Sequence, residues 1–443
     1  MELIRPLFPT PNNLRCFELS YLDQMTIPVF TPFALFYPPS PHSEGGGSYS
    51  YEQARAVNSS KLLVLKKSLS EILARFYPFA GRIKGNSVEC NDDGVPFYEA
   101  FAHNYQFEDI HRKLEVVKHF LPVASHEDDP STLFHDAAFC PLLVQVTTFE
   151  CGGMTIGMYA SHKVVDGATL YTLVNTWAVA ARRSSPDCVV PELVAAAKFL
   201  PPPIPYVPQE PNNKWMAEII KFFYNEQRVT KLFAFDVSTI ASLKAKAVSD
   251  DVPVPTRTDV LSAVIWKCFM VASGIERRST RLTHSVNIRK RFVPPLPDHC
   301  VGNAVAVSTT CKGENDGTDL RTLVTCIRKS LLELCSKYVD KQSRDEAILA
   351  IHNDCIDLTE VLLRGETTLN ISSLCGSQFY VDFGWGKPSW LSVNQTTGRN
   401  FVLLMDSRDG GGIDALVCLK DSNTMSVFEH ELELELLAFG SSK

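Results

Sequence analysis

Apolar residues recur at helical spacing in three separate stretches of the chain. In residues 61–73, leucine and isoleucine side chains fall on one face and lysines on the other. Residues 168–183 and 256–273 repeat this pattern, with Trp177 and Val264 on their apolar faces. A period of 3.6 residues predicts an amphipathic helix in each stretch, packed against a core.

Other stretches are rich in β-branched and aromatic residues and are bounded by turn residues, which predicts strands. Residues 142–150 and 154–160 are joined by Cys151-Gly152-Gly153, which is typical of a hairpin. Further strands are predicted at residues 232–236, 283–288, 304–309, 401–405 and 413–419, together with a helix at 237–248 capped by Ser238. Strands and helices alternate in both halves, so the predicted fold class is mixed α/β.

A proline-dense stretch separates the two halves. Residues 189–213 carry prolines at closely spaced positions, which favours an extended chain and disfavours helix or central strand. We therefore predict two domains, at residues 1–200 and 215–443, joined by a linker at 201–214. A functional site at their interface is the economical expectation.

Composition narrows the possible functions. The chain has 443 residues, of which 45% are hydrophobic, and its formal net charge is −7, the opposite of the basic surface that nucleic-acid binding requires. Its 13 cysteines include no C-x-x-C pair, which indicates reduced thiols in a cytoplasmic protein. No secretory signal or membrane span is evident, so we expect no membrane association.

The first chemical candidate lies where a predicted strand meets a predicted helix. His162 ends the second strand of the hairpin, and Asp166 and Gly167 precede the helix. An imidazole can act as a general base near pH 7. The same residues also fit a structural turn in which Asp166 begins the helix, and position alone does not separate these interpretations.

The second candidate is Asp382-Phe383-Gly384-Trp385-Gly386. Glycines on both sides of a tryptophan allow the backbone to approach closely while a large ring packs, which suits a tight turn or the wall of a ligand channel. The sequence contains no G-x-S-x-G, H-E-x-x-H, P-loop or EF-hand pattern, which removes the hydrolase, zinc-protease, nucleotide and calcium interpretations. A catalytic cysteine stays open as an alternative.

The two motifs together resemble the plant BAHD acyltransferases, which move an acyl group from a coenzyme A thioester to an alcohol or amine. The resemblance is closest to the alcohol acyltransferases of alkaloid and ester metabolism that use acetyl-CoA. It departs at Leu374, where tryptophan is common, and at Asn287-Ile288-Arg289, where Asn-Leu-Arg is usual. It runs the whole length of the chain and includes Pro9-Thr10-Pro11, Leu22-Asp23-Gln24, Tyr77-Pro78-Phe79-Ala80-Gly81-Arg82, Glu150-Cys151-Gly152-Gly153, Ile265-Trp266-Lys267 and Gly302-Asn303.

This resemblance implies two chloramphenicol-acetyltransferase-like domains of mixed sheet and helices, with a solvent channel at their interface and His162 reachable from both sides. Residues 215–443 are expected to carry the Asp382 motif and the coenzyme A site. A segment at about 379–397 is expected to cross back to the first domain.

The resemblance also implies roles for single residues. His162 would be the general base, and Asp166 would point away from the channel and pair with Arg289. Gly167 would support the same turn. Asp382 would support the site by shaping structure or channel, and its motif partners Gly384, Trp385 and Gly386 would do the same.

The coenzyme A phosphates would lie in the second domain. The helix predicted to begin near Thr256, Arg257 and Thr258 offers hydroxyl and amide donors for phosphate. We assign these residues to acyl-CoA binding on that basis.

The implied function is transfer of a short acyl group, acetyl by preference, from acyl-CoA to a hydroxyl of a plant specialised metabolite such as an alkaloid or terpenoid alcohol. Both substrates would bind together, with acyl-CoA as co-substrate, no metal and no permanently bound cofactor. We expect a monomer. The alternatives are an inactive relative that binds a ligand or partner, an N-acyltransferase acting on an amine, and a thiol hydrolase.

Overall fold

A computed structural model describes most of the chain. The described residues are 1–39, 51–112, 114–122, 140–182, 190–193, 228–275, 279–292, 294–338, 367–393 and 400–440, with isolated positions between 346 and 361. The predicted linker at 201–214 lies outside them.

The chain forms two compact units, and each is assembled from three segments. The first comprises Met1–Val207, Leu296–Ala304 and Gln378–Thr396, and the second comprises Pro208–Pro295, Val305–Ser377 and Thr397–Lys443. The Asp382 motif therefore belongs to the first unit, together with the segment expected to cross back at about 379–397, and not to residues 215–443, to which the sequence analysis also assigned it. The reason is that Trp390–Ser392 adds a strand to the sheet of the first unit, which draws the preceding motif with it.

The described residues of the first unit form two sheets. Their strands are β1 (Glu2–Ile4), β2 (Cys16–Glu18), β3 (Phe30–Tyr37), β4 (Arg82–Lys84), β5 (Ser87–Glu89), β6 (Val95–Ala102), β7 (Leu142–Phe149), β8 (Met154–Ser161) and β13 (Trp390–Ser392). The large sheet has the order β1-β6-β7-β8-β3-β13, and the small sheet has the order β2-β5-β4. In the large sheet, β6 and β7 are parallel and the other pairs are antiparallel.

The large sheet is covered on both faces. Helices α2 (Tyr51–Leu73) and α3 (Gly167–Ala181) cover one face and pack together. A shorter helix, α1 (Tyr21–Met25), precedes β3. The indole Nε1 of Trp177 joins α3 to α2, since it donates to Leu65 O at 3.1 Å and to Ser68 Oγ at 3.0 Å. On the other face, short 3₁₀ helices at Phe107–Arg112 and Leu114–Phe120 contribute to an aromatic cluster.

In the part of the second unit that the structure describes, helices pack on one sheet. Its strands are β9 (Val229–Phe235), β10 (Thr280–Asn287), β11 (Val305–Lys312), β12 (Thr368–Ser373), β14 (Phe401–Asp406) and β15 (Ile413–Leu419), in the order β11-β10-β12-β14-β15-β9. Its helices are α4 (Val237–Ala247), α5 (Arg257–Ala272), α6 (Leu320–Tyr338) and α7 (Ser422–Gly440). Helix α5 is central, because α4, α6 and α7 all pack against it and Trp266 is fully buried there.

Most predicted elements are present with shifted ends. The hairpin, α3 and β15 follow the sequence pattern closely, whereas α2 begins ten residues before the predicted start at Lys61. The cap predicted for α4 is wrong. Asp236 occupies the N-cap position, and its carboxylate accepts from Thr239 N at 2.7 Å, while Ser238 is already inside the helix. Among the described helices, none is both long and apolar enough to cross a membrane.

Candidate active site

His162 lies in the turn that follows β8. Its backbone N–H donates to Val29 O at 2.8 Å, and the N–H of Val164 donates back to Ser161 O at 3.0 Å. The side chain is half-buried, and its Nδ1 atom is buried without a hydrogen-bond partner among the described residues. Buried polar atoms are usually paired, and Nδ1 of His284 in the second unit likewise has no partner among the described residues.

Asp166 closes the same turn by capping α3. Its Oδ1 accepts from Thr169 N at 2.9 Å, and its Oδ2 accepts from Ala304 N at 3.1 Å. Only 3% of the residue is exposed. The carboxylate therefore fixes the start of a helix and a distant segment of the first unit at once. Arg289 belongs to the second unit, and its pairing with Asp166 stays a prediction.

Asn303 holds the histidine from the other side. Its Nδ2 donates to the carbonyl oxygen of His162 at 2.7 Å and to Asp23 Oδ1 at 2.9 Å, and its backbone N–H also donates to Asp23 Oδ1 at 2.6 Å. The second oxygen of Asp23 accepts from the backbone and hydroxyl of Ser20. Burial raises the pKa of Asp23, and these hydrogen bonds oppose that rise.

Lys163 completes the anchoring of the turn. Its Nζ donates to Gln24 O at 2.7 Å and lies 3.5 Å from Asp23 O, close to the end of α1. Burial lowers the pKa of Lys163 to about 8, although the nearby charge of Asp23 opposes the shift. The turn is thus bonded to α1, to β3 and to the segment around residue 303.

The Asp382 motif is a tight turn closed by its own carboxylate. Oδ1 of Asp382 accepts from Gly384 N at 2.7 Å and from Gly386 N at 2.9 Å. Gly384 and Gly386 have φ angles of 113° and 101°, which favour glycine. The guanidinium of Arg182, just beyond α3, donates to the carbonyl oxygen of Asp382. These contacts give the motif a structural role in the first unit.

Aromatic rings hold this turn against the sheet. Phe383 packs edge-on to Trp177 at 5.2 Å and stacks on Trp385 at 5.8 Å. The hydroxyl of Tyr37 donates to Val381 O at 2.9 Å. Burial raises the pKa of Tyr37 well above its usual value, and the charge of Asp382 adds to this. The motif is therefore bonded to β3 and packed on α3.

The residues assigned to acyl-CoA already have partners. Thr256 is the N-cap of α5 and forms a capping box with Asp259, in which each side chain accepts from the backbone of the other. Arg257 donates to Asp406 Oδ1 at 2.8 Å and to Gly411 O at 3.3 Å. Thr258 follows within the first turn of the helix. The carboxylates of Asp259 and Asp406 would compete with a phosphate here.

The sequence analysis missed the roles of three residues. Asp23 and Asn303 entered it only as parts of the family resemblance, and Lys163 only as a position between His162 and Asp166. Two local patterns point to two of these residues. Ser20-x-x-Asp23 is the pattern of a helix capping box, and Gly302-Asn303 is part of the family resemblance. Their contacts join residues as many as 280 positions apart, which no local pattern predicts.

Comparison with known proteins agrees with these observations. The Transferase family model matches residues 1–435. The chain belongs to this family, the BAHD acyltransferases. Limonoid 7-O-acetyltransferase from Citrus sinensis is 34% identical over 100% of this chain and 97% of its own length, and stemmadenine O-acetyltransferase from Catharanthus roseus is 32% identical over 95% and 93%.

Solved structures show the same fold. The crystal structure of vinorine synthase superposes with a TM-score of 0.76 at 31% identity, covering 99% of this chain and 97% of that one. TRI101 of F. graminearum, solved with coenzyme A and T-2 mycotoxin, superposes with a TM-score of 0.68 at 17% identity, covering 93% and 96%. The predicted two-domain acyltransferase fold is therefore confirmed, and this BAHD protein is an acyl-CoA-dependent O-acyltransferase.

Proposed function

We propose that the protein transfers an acetyl or other short acyl group from acyl-CoA to a hydroxyl of a plant specialised metabolite, such as an alkaloid or terpenoid alcohol. The names of the relatives support this choice, since they are O-acetyltransferases for a limonoid and for stemmadenine. The lack of C-x-x-C pairs supports a cytoplasmic protein. The monomer that we also propose would be tested by size-exclusion chromatography of the purified chain.

His162 acts as the general base. The neutral imidazole takes the proton of the acceptor hydroxyl while the oxygen attacks the thioester carbonyl carbon, giving a tetrahedral oxyanion. Collapse of that intermediate breaks the carbon–sulfur bond, and the leaving thiolate of coenzyme A takes the proton from the imidazolium. Both substrates bind together, and no acyl-enzyme forms.

One observation carries this assignment. The main chain of His162 is bonded on both sides, by Val29 O and by Asn303, while Nδ1 of its ring has no partner among the described residues. A fixed backbone that holds a partly exposed imidazole in one place is what a general base needs. A structural histidine would be expected to bond through its ring instead.

Asp166 and Asp382 position the site and do not transfer protons. Both oxygens of Asp166 accept from backbone N–H groups, and one oxygen of Asp382 accepts from two of them. We propose that the coenzyme A phosphates bind at the start of α5. This requires the guanidinium of Arg257 to leave Asp406 and bind a phosphate when acyl-CoA binds.

The decisive experiment is substitution of His162. The purified chain, incubated with acetyl-CoA and pooled plant alcohols, should release coenzyme A and give acetyl esters detectable by mass spectrometry. His162→Ala should reduce kcat by about 10²–10⁴-fold. His103→Ala is the matched control, because His103 is an exposed histidine of the same unit, paired with Glu150. Near-normal activity of His162→Ala would refute the general-base role.

The alternatives predict different outcomes. An inactive relative gives no ester from any acyl-CoA, and an N-acyltransferase gives amides when amines join the pool. A thiol hydrolase would lose activity with iodoacetamide and keep it in His162→Ala. Three of the cysteines do not suit this chemistry, because burial raises the pKa of Cys90 and Cys268 to about 12 and that of Cys375 to about 11, and a thiol nucleophile needs a lowered pKa.

A further inference from the structure

We infer that Lys163 is a positioning residue for His162, and that its buried ammonium anchors the turn carrying the base to the end of α1. This inference rests on the proposed role of His162. It adds a residue that the proposed mechanism does not use.

The geometry of Lys163 is that of an anchor. The residue directly follows His162, and its side chain points back into the first unit, where Nζ donates to Gln24 O at 2.7 Å. Gln24 is in the last turn of α1, which ends at Met25. Carbonyl groups at the end of a helix carry the negative end of its dipole, so they favour a cation. A charged donor also makes a shorter and stronger hydrogen bond than a neutral one.

The anchor shares its helix with the other support of His162. Asp23 on α1 binds Asn303, which in turn holds the carbonyl oxygen of His162 at 2.7 Å. Lys163 binds the same helix from the next residue of the turn. Both sets of bonds therefore fix His162 relative to α1. One acts through the carbonyl oxygen of His162, and the other acts through the side chain of the next residue, Lys163.

The electrostatic surroundings make this anchor sensitive to pH. Among the described residues, the charged group that faces Lys163 from α1 is the carboxylate of Asp23, and the titratable group beside it on the turn is His162. Burial lowers the pKa of Lys163 to about 8. The ammonium is thus present below that pH and is lost as the pH rises through it. Loss of the charge weakens the bond to Gln24 O and loosens the turn.

The test compares Lys163→Met with a matched variant. Methionine keeps the length and apolar stem of lysine without the ammonium. We expect kcat to fall at least about tenfold with both KM values within about threefold, because a small displacement of a catalytic group lowers the rate and not substrate affinity. Lys312→Met is the control, since Lys312 is 1% exposed and its Nζ donates to Gly313 O at 3.0 Å in the second unit.

The pH profile separates positioning from simple folding support. Wild-type kcat should decline severalfold as the pH rises through about 8, measured with an alcohol that does not titrate. In Lys163→Met the lower kcat should not vary between pH 7 and 9. Wild-type kcat in Lys163→Met, or the same alkaline decline in both proteins, would overturn the inference.

Two further outcomes are decisive. If Lys163→Met does not fold, the wild-type profile alone decides, and a kcat that is flat to pH 9 refutes the anchor. If His162→Ala is inactive while Lys163→Met is fully active, the proposed function stands and only this inference fails.

Discussion

Asp166 should contribute more to stability than a helix cap alone. In Asp166→Ala the helix α3 loses its N-cap bond to Thr169 N, and the N–H of Ala304 loses its acceptor. An N-cap is worth about 1 kcal/mol. A buried N–H left unpaired costs about 1–3 kcal/mol. The sum is about 2–4 kcal/mol, and any pairing with Arg289 would add to it.

The assay is thermal unfolding of the purified chain, followed by circular dichroism and by tryptophan fluorescence. For a unit of this size, about 1 kcal/mol lowers Tm by about 2–4 °C, so Asp166→Ala should lower the first transition by about 4–16 °C. Asp166→Asn should lower it by less, because its amide oxygen still accepts from Thr169 N.

Asp236→Ala is the matched control. Asp236 caps α4 through the same bond, to Thr239 N at 2.7 Å, but its side chain is exposed and it holds no distant segment. This variant should lower Tm only slightly. Equal losses in Asp166→Ala and Asp236→Ala would refute the reasoning that Asp166 secures the Ala304 segment.

Three other predictions concern pH, the Asp382 turn and acyl-CoA. His284 is 6% exposed and bonded to Ser262 Oγ, and burial lowers its pKa to about 4. The pKa of histidine in the unfolded chain is about 6.5, so the free energy of unfolding should fall as the pH drops below that value, by about 2 kcal/mol at pH 5. An unchanged urea midpoint between pH 7 and 5 would contradict this. Asp382→Asn should lower Tm while kcat stays within about threefold; a hundredfold fall in kcat would make Asp382 catalytic. Arg257→Met should raise the KM for acyl-CoA by about tenfold or more and leave that for the acceptor unchanged. Lys231→Met, which removes the partner of Glu429 elsewhere in the second unit, should alter neither KM.

Local patterns predicted the regular elements well. The hairpin and α3 carry strong periodic signals, and β15 runs between Gly412 and a polar segment, so their ends were close to those observed. The start of α2 was missed because residues 51–60 are mostly polar. Asn58 Nδ2 in this stretch donates to Gly152 O at 3.2 Å, a contact that periodicity does not reveal.

The assembly of the site could not be read from local patterns. Residues 296–304 return to the first unit from the second half of the chain, and this return brings Asn303 to His162 and Ala304 to Asp166. The sequence identified the histidine and the aspartate from their spacing and from the family resemblance. The sequence does not indicate which distant amide groups His162 and Asp166 bind, because those contacts depend on the tertiary fold.

The candidate site follows a single physical rule. Backbone polar groups in a buried turn must be paired. In this turn the N–H of His162 is paired with Val29 O, its carbonyl oxygen with Asn303, and the N–H of Thr169 at the start of α3 with Asp166. A histidine at the end of a strand could sit in many orientations, but a turn bonded to three segments leaves few. Among the described residues, Nδ1 of the His162 ring is the atom of this turn that stays buried and unpaired. The bonds around His162 fix its main chain while Nδ1 of the ring makes no bond to a described residue, and this is the arrangement that the proposed general base requires.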